Sequence, residues 1–173
     1  MREHVLGSRT VFEGKILTVR VDEVEASDGH RATREVVEHR GAVGVVAVHD
    51  GDLVLVRQYR HATGEELLEV PAGKLEEGED PADTAARELI EEVQLRAKRL
   101  EHWTTFYTTP GFTNERFHLY FSDDLEPAAG DTEDGEVLVV ERHPLTELRT
   151  LLTSDAIRDA KTLLGLSFLA LRL

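Results

Sequence analysis

A chain of 173 residues is long enough for one well-buried core and short for two, so a single compact body is expected. Twenty basic residues stand against 34 acidic ones, and the formal charge of -14 argues against nucleic acid or an anionic membrane as a partner. The chain has no cysteine, which excludes disulfides and thiolate zinc sites. Met1 to Thr10 holds Arg2, Glu3, His4 and Arg9 and no apolar stretch, so no secretory signal is read there and a cytoplasmic location is expected.

Ile16 to Ala26 alternates apolar and polar residues, meets Ser27-Asp28-Gly29-His30 and resumes from Ala32 to His39, which reads as a β-hairpin. A second hairpin follows, Val43 to His49 and Leu53 to Tyr59 about the turn Asp50-Gly51. The short apolar run Leu67 to Val70 leads into Pro71-Ala72-Gly73 and an acidic loop. A helix is expected from Asp80, with Asp as N-cap and Pro81 at the first helical position. Arg99 to Tyr107, Arg116 to Phe121 and Glu136 to Arg142 read as strands, and Pro144 to Leu152 and Ser154 to Leu171 as closing helices, the second capped by Ser154. Leu163 to Leu173 is apolar but too short to span a bilayer, so it is expected to pack on the core. Strands mixed irregularly with a few helices indicate α/β (α+β) or a sheet between helices, with no repeat or low-complexity tract.

The stretch Gly73 to Leu95 carries the chemistry. On the expected helix, Glu88 and Glu92 fall four apart on one face, and Glu91 lies three from Glu88. Like charges at that spacing destabilise a helix by roughly 0.2 to 0.5 kcal/mol, so a third acid calls for a compensating cation. Arg87, four residues before Glu91, cancels part of the repulsion. A hard ion such as Mg²⁺, taking carboxylate and phosphate oxygens, would cancel more. A solvated acidic face is the usual meaning of Glu-x-x-Glu-Glu alone. Gly73, Glu79 and the Arg87-Glu88 pair have no reason to accompany such a face.

The spacing Gly73-x5-Glu79-x7-Arg87-Glu88-Leu89-x-Glu91-Glu92-x-Gln94-Leu95 resembles the signature of the Nudix hydrolases, with one departure: Gln94 stands where the family has glycine. Glycine after a helix ends it in the left-handed region, so Gln94 is expected to strain or reshape the exit without removing activity. The resemblance implies a Nudix-type α/β/α sandwich with a mixed β-sheet over residues 41–173. It also implies metal ligation by Glu88, Glu92 and the carbonyl of Ala72, with Glu91 sharing an ion or holding Arg87. Glu76 and Glu77 are expected on a solvated loop.

Further matches resemble the ADP-ribose pyrophosphatase branch: Thr109-Pro110-Gly111-Phe112-Thr113-Asn114-Glu115, with Pro110 sixteen residues past Gln94, then Arg57-Gln58-Tyr59-Arg60 and Arg34-Glu35-Val36-Val37-Glu38-His39. That likeness implies Mg²⁺-dependent cleavage of ADP-ribose to AMP and ribose 5-phosphate, Mn²⁺ or another divalent ion substituting. It implies a homodimer in which the β segment of residues 1–40 exchanges between subunits, and substrate contacts from Arg60, Arg34, Glu35, Pro110 and Glu115. Arg60 is the expected phosphate ligand through its planar fork, a surface ion pair being the alternative. The general base is expected in the loop Gly130 to Glu136; the following strand favours Glu133 by register, with Asp134 or Glu136 still open. A Nudix enzyme for a nucleotide sugar, dinucleotide or damaged nucleoside triphosphate, and a non-catalytic ADP-ribose sensor, are the competing readings.

Overall fold

The computed structural model describes residues 2–130 and 137–173. Two compact units are distinguished, Met1–Gly41 with Phe106–Phe117, and Ala42–Thr105 with His118–Leu173.

In the first unit, β1 (Glu3–Glu13), β2 (Leu17–Ala26) and β3 (Arg31–His39) form an antiparallel sheet in chain order. The β2-β3 hairpin is as expected. Its turn closes through the Ala26 N–H to the His30 carbonyl at 2.9 Å, with Gly29 at a φ of 82°. The strand β1 is an addition to that reading. Its register with β2 shifts between Val5 and Gly7 and again between Thr10 and Phe12, so its apolar residues fall in adjacent pairs and lose the period of two that marks a strand. Every residue of β1 is exposed, Val5, Leu6, Val11 and Phe12 included. The segment Phe106–Phe117 joins β3: the Val37 N–H donates to the Phe112 carbonyl at 2.7 Å, and the Asn114 N–H to the Val37 carbonyl at 3.3 Å.

The second unit is built on β4 (Ala42–His49), β5 (Asp52–Arg60), β6 (Glu65–Glu69) and β7 (Ala72–Lys74), then α1 (Pro81–Val93) and β8 (Leu95–Ala97). After these come β9 (Glu101–Tyr107) and β10 (Arg116–Ser122), which belong to this unit as far as Thr105 and from His118 on, then β11 (Leu125–Pro127), β12 (Leu138–Pro144), α2 (Leu148–Thr153) and α3 (Ala160–Ala170). The main sheet runs β12-β5-β4-β10-β9, with β6 on β5 and β7 on β4, and β8 pairs separately with β11. Asp50 and Gly51, with φ of 54° and 84°, turn β4 into β5 through the two-residue loop expected of Asp-Gly.

The residues of β4 explain the layering. Val43, Val45 and Ala47 share one cluster with Ala85, Leu89 and Val93 of α1. Val46, of opposite parity, meets α3, where its Cγ2 would lie 2.7 Å from a Cβ at Gly165. Alternate side chains point to opposite faces of a strand, so α1 and α3 cover the two faces of the sheet, the α/β/α arrangement expected.

Two helical expectations are corrected. Pro144 still pairs with Asp52 in β12, and Leu145–Glu147 is a 3-10 turn, so only Leu148–Thr153 is α-helical there. The last helix starts at Ala160 with Asp159 as N-cap, and Ser154 ends α2 instead. Asp159 outcompetes Ser154 because its buried carboxylate takes the Thr162 N–H at 2.9 Å, the Thr162 hydroxyl at 2.8 Å and Lys161 Nζ at 2.5 Å. Leu166 and Leu169 are buried, whereas Leu171 and Leu173 beyond the helix are exposed, so only part of the apolar carboxy-terminal run packs inward. Among the described residues no helix is long and apolar enough to cross a membrane.

Candidate active site

Helix α1 begins as its sequence dictates: the Asp80 carboxylate accepts the Ala82 N–H at 2.8 Å, Pro81 follows, and Asp83 sits in the first turn. Its buried stripe is Thr84, Ala85, Glu88, Leu89, Glu92 and Val93. Two carboxylates thus occupy positions that helical periodicity assigns to the core; Glu88 is 8% exposed and Glu92 5%.

Both acids lie against the backbone of β7. The Ala72 N–H donates to Glu92 Oε2 at 2.9 Å. A Cβ built on Gly73 would fall 1.8 Å from Glu88 Oε1, so glycine at 73 makes the space that the Glu88 carboxylate fills. Ala72, Glu88 and Glu92 are therefore brought together.

Arg87 organises the remaining acids. Its Nε and Nη2 donate to Glu79 at 3.2 and 3.4 Å, and its Nη1 donates to Glu91 Oε2 at 2.6 Å and lies 3.0 Å from Glu88 Oε1. Burial works against the Arg87 charge, but the Glu79 hydrogen bonds and the charges of Glu88 and Glu91 outweigh it and raise its pKa. Reciprocally, the Arg87 hydrogen bonds hold Glu79 below the usual carboxylate range. Glu91 is therefore one of the carboxylates that Arg87 holds. Glu76 and Glu77 are exposed, as a solvated loop requires.

Three carboxylates, Glu79, Glu88 and Glu91, share the guanidinium of Arg87, while Glu92 accepts the Ala72 N–H. Among the described residues no three His, Asp or Glu side chains are arranged to hold an ion by themselves. Two carboxylates, a backbone carbonyl and substrate phosphate oxygens form the mixed oxygen set that Mg²⁺ takes, and the space opened at Gly73 lets a carboxylate approach that backbone. These residues fit a hard divalent ion.

Arg60, at the end of β5, spans both oxygens of Glu69 side-on, Nε to Oε1 at 2.8 Å and Nη2 to Oε2 at 2.9 Å. The Glu69 hydrogen bonds raise the Arg60 pKa against burial, and Glu92 and Asp159 add to that field. Glu69 was not singled out in the sequence; an acid inside the apolar run Leu67 to Val70 was the available signal.

The other expected contacts lie in the first unit. Arg34 is exposed, its Nε donating to Glu3 Oε2 at 3.1 Å and its Nη2 close to Glu3 Oε1. Glu35 is exposed on β3. The turn holding Pro110 closes through the Thr113 N–H to the Thr109 carbonyl at 3.1 Å. Glu115 accepts the Thr108 hydroxyl at 2.5 Å. The Asn114 side chain accepts the His39 N–H at 2.8 Å, which fixes this turn beside the strand of Arg34 and Glu35. Glu133 and its alternatives Asp134 and Glu136 lie outside the described residues.

Comparison with known proteins agrees with this geometry. Residues 38–165 match the NUDIX domain model and residues 3–37 the nucleoside diphosphate sugar hydrolase N-terminal domain. The chain is 37% identical to an ADP-ribose pyrophosphatase of Bacillus subtilis, over 99% of this chain and 95% of that one. It is 38% identical to a methanol dehydrogenase activator of Bacillus methanolicus, over 98% and 94%. A crystal structure of an ADP compounds hydrolase superposes with a TM-score of 0.90 at 26% identity, covering 100% of this chain and 95% of that one. The glycine, the buried acid pair and the arginine that joins the remaining acids thus sit within a matched domain spanning most of the sequence, and the chain belongs to the Nudix family of hydrolases.

Proposed function

We propose that this enzyme hydrolyses the pyrophosphate bond of ADP-ribose in the presence of a divalent metal ion, yielding AMP and ribose 5-phosphate. The observation that carries the reading is the burial of Glu88 and Glu92 on α1 against the backbone of Ala72 and Gly73. The substrate is argued from the relatives named ADP-ribose pyrophosphatase in Bacillus subtilis and, at 45% identity over 72% of this chain, in Mycobacterium tuberculosis. It is argued also from the match of residues 3–37 to a nucleoside diphosphate sugar hydrolase segment.

Glu88, Glu92 and the Ala72 carbonyl would hold the ion, for which Mg²⁺ is our proposal. Such an ion neutralises phosphate charge and makes water a better nucleophile at neutral pH. The chain's own groups do the rest. Arg87 fixes Glu79 and Glu91, so that the acid helix keeps its geometry despite like charges. Arg60 binds the phosphates through the guanidinium edge not engaged by Glu69, and a carboxylate of the 131–136 segment, Glu133 by register, takes the proton of the attacking water. Arg34, Glu35, Pro110 and Glu115 are proposed to contact the substrate's nucleoside end. The fully exposed β1, with Val5, Leu6, Val11 and Phe12 uncovered, supports a homodimer that uses this strand.

The test is one incubation series: purified protein with ADP-ribose, nucleotide sugars, dinucleotides and nucleoside triphosphates, each with Mg²⁺ or Mn²⁺, products resolved by chromatography. ADP-ribose should be consumed fastest, with AMP and ribose 5-phosphate appearing in equal amounts. Faster cleavage of a nucleotide sugar would move the substrate assignment, and binding of ADP-ribose without products would make the protein a sensor.

A further inference from the structure

Within the second unit two cations and two carboxylates alternate beside the chain that joins β6 to β7. Arg60 spans Glu69; Lys161 Nζ lies 3.9 Å from Glu69 Oε2 and 2.5 Å from Asp159. The Thr162 hydroxyl donates to Asp159 at 2.8 Å and accepts the Val70 N–H at 2.9 Å, which ties the first turn of α3 to the residue next to Glu69.

Glu69 is the unexpected member. It is 1% exposed, between the buried Leu68 and Val70. An apolar side chain would fill that space without the desolvation penalty of a carboxylate, so packing does not ask for glutamate. What a buried carboxylate supplies here is direction. A side-on pair uses Arg60 Nε–H and one Nη2 hydrogen, leaving the second Nη2 hydrogen and one Nη1 hydrogen side by side on the end-on edge, and the other Nη1 hydrogen towards Cδ. The Arg60 side chain is 38% exposed while that of its partner is sealed at 2%, so the pair engages the arginine without burying it. Arginine free to rotate would lose several rotamers on meeting a phosphate; this one has lost them on folding.

We infer that Glu69 is a positioning residue, which holds the Arg60 guanidinium with its outer edge presented to the substrate phosphates. The inference rests on the reading of Arg60 as a phosphate ligand. Glu69 touches no substrate in this scheme and acts only through Arg60.

Steady-state kinetics with ADP-ribose on R60A, E69Q and R60A/E69Q separate the two statements. R60A is expected to raise KM by about tenfold or more, the scale of one charge-assisted contact. E69Q should also raise KM about tenfold, with kcat and the Mn²⁺ half-saturation little changed, and it should add nothing in the R60A background. R60K should behave like R60A, because an ammonium cannot span both Glu69 oxygens and still offer a second edge. If E69Q does not fold, E69D carries the same cycle, since it keeps the charge but withdraws the oxygens. An E69Q effect of equal size in both backgrounds, or one confined to kcat, overturns the positioning role and leaves Arg60 as phosphate ligand. An unchanged KM in R60A overturns both.

Discussion

At position 94 the backbone answers a question that the residue alone poses. Gln94 adopts φ 55° and ψ 38°, the left-handed conformation for which the family signature has glycine, and its N–H still reaches the Ile90 carbonyl at 3.1 Å. The helix exit is therefore kept, and the Cβ is carried at a strain of about 1 kcal/mol. Gln94→Gly is expected to raise Tm modestly while turnover and metal dependence change by less than tenfold. Gly73 behaves in the opposite way. Any Cβ there overlaps Glu88, and the backbone of β7 is held in register by β4, so the acid must move. Gly73→Ala should abolish metal-supported turnover, and Glu92→Gln should depress it without unfolding the chain, as circular dichroism beside a Mn²⁺ titration would register.

Among the elements, α1 was legible in outline and in detail, because its cap, its stripe and its ion pairs are all local, within eight residues of Arg87. The closing helices were not. Ser154 and Asp159 are both acceptable caps by residue type, and the choice fell to Asp159 through Lys161, Thr162 and the distant Val70. Burial pushes the Asp159 carboxyl up, but Lys161 and Thr162 outweigh it and hold it below the usual carboxylate range. Replacing the cap by Asp159→Ala should cost about 1 to 2 kcal/mol of stability, seen as a lower midpoint in urea. The strand β1 escaped for a different reason: two bulges break the alternation by which an exposed strand is recognised.

For the molecule as a whole, acid sensitivity follows from carboxylates whose pKa values folding lowers. Arg57 does this for Glu141, and Lys161 with Thr162 does it for Asp159. A group with a depressed folded pKa stabilises the native state above its unfolded value and loses that contribution as pH falls through the folded one. Tm should therefore be flat from neutrality down to about pH 5 and decline as the pH falls below the ordinary carboxylate range of roughly 4, in a scan of thermal unfolding against pH. The exposed apolar residues of β1 belong to this scale too. Light scattering should give twice the chain mass, and a deletion of residues 2–13 should give a monomer with weakened turnover.

By itself the sequence determined the family, the acid helix and the β2-β3 and β4-β5 hairpins, because each is written locally: i to i+4 carboxylates, turn residues between strand-forming runs, and a glycine ahead of an Asp-capped helix. Tertiary structure alone decided that Glu69 rather than solvent receives Arg60, that Asp159 starts α3, and that Arg34 meets Glu3. Each of these unites groups nine or more residues apart or selects among equally suited neighbours. The energy that decides them is desolvation and ion pairing, which depends on where the chain returns and not on which residues stand side by side.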